Sequence, residues 1–215
     1  MICITGGSGE VASALATEFL SRKQPVKLYS RSEIKCFNGN KNFSFEQVVD
    51  YSKINFDEDI CTLVVTNGSF LFKNFENLEI TEILNLVESN FTSVTYIIRN
   101  YLKQTNIKNK RNIFVFGSTA AYDLGAATNV YSALKLAIKG LLIALNKEYE
   151  NSETRFSFIS TSTINNKMGN LVPGQTKNTL LSPQELSSLL VDKILVEANY
   201  FEPEIVIRRR HIQRH

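Results

Sequence analysis

The run Ile113-Phe114-Val115-Phe116, closed by Gly117, is apolar at every position. A strand with one wet face alternates apolar and polar residues, so an unbroken run fits a strand covered on both faces, as in a parallel sheet flanked by helices. Ser118 then stands at the carboxyl end of that strand, the end at which open α/β sheets bind ligands. The segment beyond the next loop is helical: Val130, Ala133, Leu134, Ala137, Ile138, Leu141, Leu142 and Leu145 recur at helical spacing, with Thr128 or Asn129 available as the cap. Tyr131 and Lys135 are one turn apart and share a face of that helix.

A phenol starts from a pKa of about 10, too high for efficient proton transfer near neutral pH. A fixed cation roughly 4 to 5 Å away, at an effective dielectric near 20, favours the phenolate by about 3 to 4 kcal/mol, which predicts that Lys135 lowers the Tyr131 pKa. Ser118, arriving from the adjacent strand end, could hold a carbonyl oxygen against that phenol. Tyr and Lys at this spacing also occur together on ordinary solvated helix faces, so the pair takes its meaning from the rest of the chain.

The same strand-then-helix order opens the sequence. Ile2-Cys3-Ile4 runs into Thr5-Gly6-Gly7-Ser8-Gly9 and then into a helix through Leu15, Ala16, Phe19 and Leu20. Glycines at such a turn admit positive φ and let a phosphate approach the backbone, while the helix N-terminus offers N–H groups and a positive dipole end. A tight turn that serves only the fold is the other reading. A second strand, Val26-Lys27-Leu28-Tyr29, ends in Ser30-Arg31-Ser32, where a guanidinium flanked by hydroxyls suits the 2′-phosphate of NADP or stands as a plain exposed arginine. Val48-Val49-Asp50 reads as the end of a third strand, with Asp50 either near an adenine edge or simply solvated. Thr62-Leu63-Val64-Val65 is a fourth, closed by Thr66-Asn67-Gly68-Ser69, whose small residues permit close passage of a cofactor.

One long helical pattern then carries Ile83, Val87, Phe91, Val94, Ile97, Ile98 and Tyr101 on its apolar stripe, with Asn90 on the same stripe. A buried amide must be paired, either with neighbouring backbone or within a polar site. Phe156–Ser160 predicts a sixth strand, residues 161–181 a polar loop over the site, Ser182-Pro183-Gln184-Glu185 a capped helix start, and Glu204–Ile207 a last strand.

At 215 residues the chain reads as one unit, 1–215, an α/β fold of the Rossmann-type doubly wound parallel sheet with cofactor and active site in the same single domain. The net charge of +3 resides largely in the stretch from Arg208 to His215, so no nucleic-acid groove is expected. Cys3, Cys36 and Cys61 are scattered, without CxxC spacing, and both histidines lie in the basic tail; this predicts free thiols, a reducing cytoplasmic setting and no metal site. No long apolar run suggests a membrane span.

Taken together these residues resemble the short-chain dehydrogenase/reductase family over nearly the whole chain. Thr5-Gly6-Gly7-Ser8-Gly9 is similar to its cofactor loop, Asn67-Gly68 to its strand-four motif, and Asn90, Ser118, Tyr131 and Lys135 to its catalytic tetrad, in order. The resemblance implies that Tyr131 transfers a proton, Ser118 orients the substrate oxygen, Lys135 binds the nicotinamide ribose and lowers the tyrosine pKa, and Asn90 holds a water in a relay. It implies an NADP(H)-dependent carbonyl reductase or alcohol dehydrogenase, NAD(H) being possible, acting on a small-molecule substrate as a homodimer or homotetramer. Glu10 and Ala12 stand where the short branch usually has glycines, Thr161-Ser162 where Pro-Gly usually follows strand six, and Asn166 in place of the threonine that partners the carboxamide. The spacing Gly6, Gly9, Ala12 is closer to the sugar-nucleotide-modifying branch, so a sugar-nucleotide reductase or epimerase is the alternative enzyme, although the short chain leaves no room for the usual substrate domain. A dinucleotide-binding sensor without turnover is the alternative outside enzymology. The loop that carries Asn165, Asn166, Lys167, Asn170, Lys177 and Asn178 holds no aromatic residue, which favours a polar substrate.

Overall fold

The computed structural model describes residues 1–34, 37, 39–106, 110–123, 125–175, 180–196 and 201–208. Cys36, Lys177, Asn178 and the basic stretch from Arg209 to His215 lie outside these residues. Seven strands are present among them: β1 (Ile2–Thr5), β2 (Val26–Ser30), β3 (Phe43–Gln47), β4 (Thr62–Val65), β5 (Arg111–Phe116), β6 (Thr154–Thr161) and β7 (Glu204–Ile207). They form one sheet in the order β3-β2-β1-β4-β5-β6-β7, every pairing parallel. The order reverses between β1 and β4, and both strands run into loops of small residues there. This is the Rossmann-type arrangement, with its crevice at the carboxyl ends of β1 and β4.

The unbroken apolar strands follow from burial on both faces. Ile113 and Val115 of β5 join one core with Leu63, Val65, Phe156 and Phe158. Phe114 and Phe116, pointing the other way, join a second core with Ile2, Ile4, Leu28 and Val64. The helices α3 (Ser93–Gln104) and α4 (Asn129–Glu148) cover the first core through Val94, Ile97, Ile98, Tyr101, Ile138 and Leu142. The helices α1 (Glu10–Ser21) and α5 (Pro183–Leu195) cover the second through Leu15, Phe19, Leu186 and Leu190. α5 starts as expected: Ser182 Oγ accepts from the Glu185 amide, and the Glu185 carboxylate accepts from the Ser182 amide. Among the described residues no helix is long and apolar enough to cross a membrane.

Two elements differ from the sequence expectation. The third strand is Phe43–Gln47 and stops just before Val48-Val49-Asp50, its expected end. As the sheet's edge it alternates half-buried Phe43 and Phe45 with exposed or polar residues, a weaker signal than the Val48-Val49 pair beyond it. Val49 is 83% exposed, and Asp50 caps the short 3₁₀ turn Tyr51–Lys53 by accepting from the Ser52 amide at 2.9 Å. The long helix before β5 is also divided: α2 (Ile80–Val87) passes into a π turn at Glu88–Thr92 before α3 begins.

Gly117 ends β5 against the ring of Phe158, which is 1% exposed. A Cβ on Gly117 would lie 1.9 Å from Phe158 Cζ. Gly117→Ala should therefore cost about 1–3 kcal/mol in a urea titration. Phe158→Leu in the same chain, by removing the ring edge, should return part of that loss.

Candidate active site

A cleft of about 530 Å³ opens at the reversal of strand order. Gly6, Ser8 and Gly9 line its floor, Thr66, Asn67, Gly68 and Phe70 follow from β4, and Ser118, Tyr131 and Lys135 close its inner end. Arg31 and Tyr51 also line it, as do Thr161 at the end of β6 and Thr163, Ile164, Asn166, Lys167, Met168 and Val172 of the roof loop that follows.

The glycine turn is built for close approach. Gly6 has φ +77°, and a Cβ there would sit 2.6 Å from Thr66 Oγ1, so a side chain is excluded by both conformation and space. The Gly9 amide closes the turn on the Gly6 carbonyl at 2.9 Å. Gly7 faces the sheet instead, its amide on the Tyr29 carbonyl. Thr5 is fully buried at the end of β1, with an unpartnered hydroxyl. Ser30 Oγ accepts from the Ser32 amide at 3.1 Å, which shapes the turn that presents Arg31 to the cleft. Asp50, spent on its cap, does not line the cleft.

Tyr131 and Lys135, on the first turns of α4, are 8% and 5% exposed. The Lys135 ammonium donates to the Phe116 carbonyl at 3.2 Å and lies 5.5 Å from the centre of the Tyr131 ring. Burial lowers the Lys135 pKa from its usual 10.5 to about 8. Burial raises the Tyr131 pKa, and the Ser118 hydroxyl, within hydrogen-bonding reach of the phenol, draws it partly back. The expectation that Lys135 lowers the Tyr131 pKa is thus corrected for the free cleft: desolvation dominates both groups, because the phenol is packed edge-on by Phe70 at 4.9 Å and the amine is enclosed. Ser118 accepts from the Ala120 amide at 3.1 Å, which fixes its hydroxyl at the start of a short 3₁₀ turn.

Asn90 sits in the π turn, fully buried. Its amide nitrogen donates to the carbonyls of Ser69 at 2.9 Å and Leu86 at 3.1 Å, while its Oδ1 has no partner. Both readings of this residue therefore hold: one end is bonded to backbone, and the other belongs to a polar site. A Cβ on Gly68 would lie 2.7 Å from that Oδ1 and 3.3 Å from Lys135 Nζ, so only glycine lets the two groups share this space. Widened helical turns of this kind concentrate at functional sites. The Asn67 Oδ1 is likewise buried and unpartnered.

Asn90, Ser118, Tyr131 and Lys135 are gathered at one end of the cleft, and Gly6, Ser8, Gly9, Arg31, Asn67 and Gly68 line the remainder. Thr5, Gly7, Ser30, Ser32 and Asp50 support it from behind or beside. Phe70 and Tyr51 were not singled out in the sequence, although Phe70 comes soon after Asn67-Gly68. Phe70, from that loop, packs against the Tyr131 ring.

A parallel α/β sheet with a glycine-floored crevice and a buried tyrosine–lysine pair is the architecture of a nucleotide-dependent oxidoreductase. The chain belongs to the short-chain dehydrogenase family, whose model matches residues 34–175, and it is an NAD(P)-dependent oxidoreductase. It is 23% identical to a putative steroid dehydrogenase 4 of Caenorhabditis elegans, over 96% of this chain and 92% of that one. Among solved structures it is similar to a short-chain dehydrogenase/reductase from Vibrio parahaemolyticus, with a TM-score of 0.87 at 21% identity over 98% of this chain and all of that one. An alcohol dehydrogenase from Thermococcus sibiricus, solved with 5-hydroxy-NADP, gives 0.84 at 19% identity, covering 100% and 98% of the two chains.

The lowered Lys135 pKa has a consequence for stability. The unfolded chain binds this proton up to about pH 10.5 and the folded one only to about 8, so stability rises with pH between those values. Relative to Lys135→Met, the wild type should gain roughly 3 kcal/mol across that window, read from urea midpoints.

Proposed function

We propose that this chain is an NADP(H)-dependent carbonyl reductase or alcohol dehydrogenase acting on a small polar substrate, with Tyr131, Ser118, Lys135 and Asn90 as its catalytic set. The observation that carries the reading is the buried Tyr131–Lys135 pair, with the Ser118 hydroxyl beside the phenol, at the closed end of a glycine-floored cleft. The residues fit a dinucleotide: Gly6, Ser8 and Gly9 line the cleft at the start of α1, where free helix N–H groups can receive a phosphate, and Asn67 and Asn90 hold buried oxygens without partners. The nicotinamide supplies or accepts the hydride.

The protein's part is proton transfer and alignment. With its pKa raised by burial, Tyr131 is protonated at neutral pH and is poised to give its proton to a carbonyl oxygen during reduction. Ser118, pinned by the Ala120 amide, donates to the same oxygen and fixes its position. Lys135 offers an ammonium to ribose hydroxyls, and that group stabilises the phenolate left after transfer. The free Asn90 oxygen, facing Lys135 across Gly68, suits a water that returns a proton towards the lysine. Cys3 and Cys61, both free, support a reducing, cytoplasmic compartment. Exposed Leu136 and Ile143 on α4 and Tyr96 on α3 support a homodimer or homotetramer built on these helices.

Nicotinamide fluorescence on mixing with NADPH, followed by turnover of a carbonyl panel, tests the reading; binding without any turnover would instead describe a sensor. Tyr131→Phe keeps the ring packed on Phe70 and removes the proton, so kcat should fall at least about a hundredfold with NADPH affinity little changed.

Cofactor preference rests on Arg31. A guanidinium meets the 2′-phosphate with charge-assisted hydrogen bonds, each worth roughly 1.5 to 3 kcal/mol, whereas NADH offers a neutral hydroxyl there. NADPH should bind at least about tenfold tighter than NADH, and Arg31→Ala should remove most of that difference. Equal wild-type affinities at one ionic strength would show that Arg31 points elsewhere.

A further inference from the structure

Glu10, the first residue of α1, is exposed, but its carboxylate has a partner outside its own helix. Its Oε2 accepts a hydrogen bond at 2.8 Å from the backbone amide of Lys167, 157 positions further along the chain. Lys167 lies at the tip of the loop that roofs the cleft, and both residues line it. The tip is a compact unit. Asn166 Oδ1 accepts from the Gly169 amide at 2.7 Å, the Asn170 amide closes on the Asn166 carbonyl at 2.9 Å, and a 3₁₀ turn spans Gly169–Leu171. Gly169 passes so close to Ile164 that a Cβ would lie 1.9 Å from the Ile164 carbonyl oxygen. The base is pinned by the Asn165 amide on the Leu181 carbonyl at 2.8 Å. These bonds tie Lys167 to its loop neighbours, so a bond at its amide bears on where Ile164, Met168 and Val172, which line the cleft, are held.

We propose that Glu10 is a positioning residue, which fixes the roof loop over the substrate end of the cleft by tying it to the start of α1. Glu10 touches neither the reacting atoms nor the phenol; it acts through the loop. A carboxylate is suited to this task because an amide bond to an ionised acceptor is stronger than one to a neutral oxygen. The tie also joins the roof to the helix end where, on the function proposed above, the dinucleotide's diphosphate is received. Occupancy of that end and the position of the roof are then mechanically linked.

The test is amide hydrogen exchange of residues 163–172 in the full chain without nucleotide. In Glu10→Ala the Lys167 amide and its neighbours should exchange at least about tenfold faster than in wild type. In Glu10→Gln, whose amide oxygen can accept the same bond, they should stay within about threefold. An unchanged rate in Glu10→Ala, with the variant folded by circular dichroism, overturns the proposal. Exchange reads the tie whether or not the chain turns over carbonyls, so a failed carbonyl panel would sink the catalytic reading and leave this result standing. With turnover in hand, Glu10→Ala at saturating NADPH should raise the carbonyl KM at least about fivefold while changing kcat less than twofold; a loss confined to kcat would also overturn it.

Discussion

An amine held almost out of water sets the terms for everything around it. Among the described residues Lys135 donates to one backbone carbonyl, at the end of a strand that is itself buried on both faces. Burial lowers its pKa, and no carboxylate among the described residues offsets that shift. A buried ammonium without a counter-ion is costly, and such costs persist where a ligand or a reaction uses the group. The residues nearest to it are the ones with the least freedom to change: glycine at 68 for space, an amide at 90, and the Phe116 carbonyl placed by the register of β5.

The register connects this amine to the rest of the crevice. Because β5 pairs with β4 and β6 in parallel, all three strands deliver their loops to the same end, and Ser118, Gly68 and Thr161 arrive together. The π turn carries Asn90, which points inward between the Ser69 and Leu86 carbonyls, while Val94, Ile97 and Tyr101 stay on the core-facing stripe of α3.

Much of this was legible before any coordinates. β1, β4 and β5 announced themselves because strands covered on both faces read as largely apolar runs, and the capped start of α5 was carried by local hydrogen-bonding chemistry. Of the four residues gathered around the cleft end, Ser118 was found at a strand's carboxyl end, Tyr131 and Lys135 by their one-turn spacing, and Asn90 as an amide on an apolar stripe, with the family resemblance joining them. The end of β3 was set a few residues late because an edge strand has only half a hydrophobic signal. The π turn was invisible because its extra residue leaves the apolar spacing close to helical. The protonation balance of Tyr131 and Lys135 was misjudged for a different reason: charge spacing can be read from sequence, whereas enclosure by Phe70 and the strand-end backbone is known only once the loops are placed. The tie between Glu10 and Lys167 joins residues too far apart for any local pattern to connect.

The sheet order also bears on how the chain comes to be folded. β1, the first of these seven strands in sequence, lies between β2 and β4, and β4 is not complete until Val65. Until then an apolar strand has an open side, and each later strand must close a loop of tens of residues before its ladder can form. No adjacent pair here is a hairpin that could nucleate locally. Such topologies collapse slowly and hold unpaired edges in their intermediates, so this chain should depend on dilute conditions or on chaperones during refolding more than a helical bundle of equal length does.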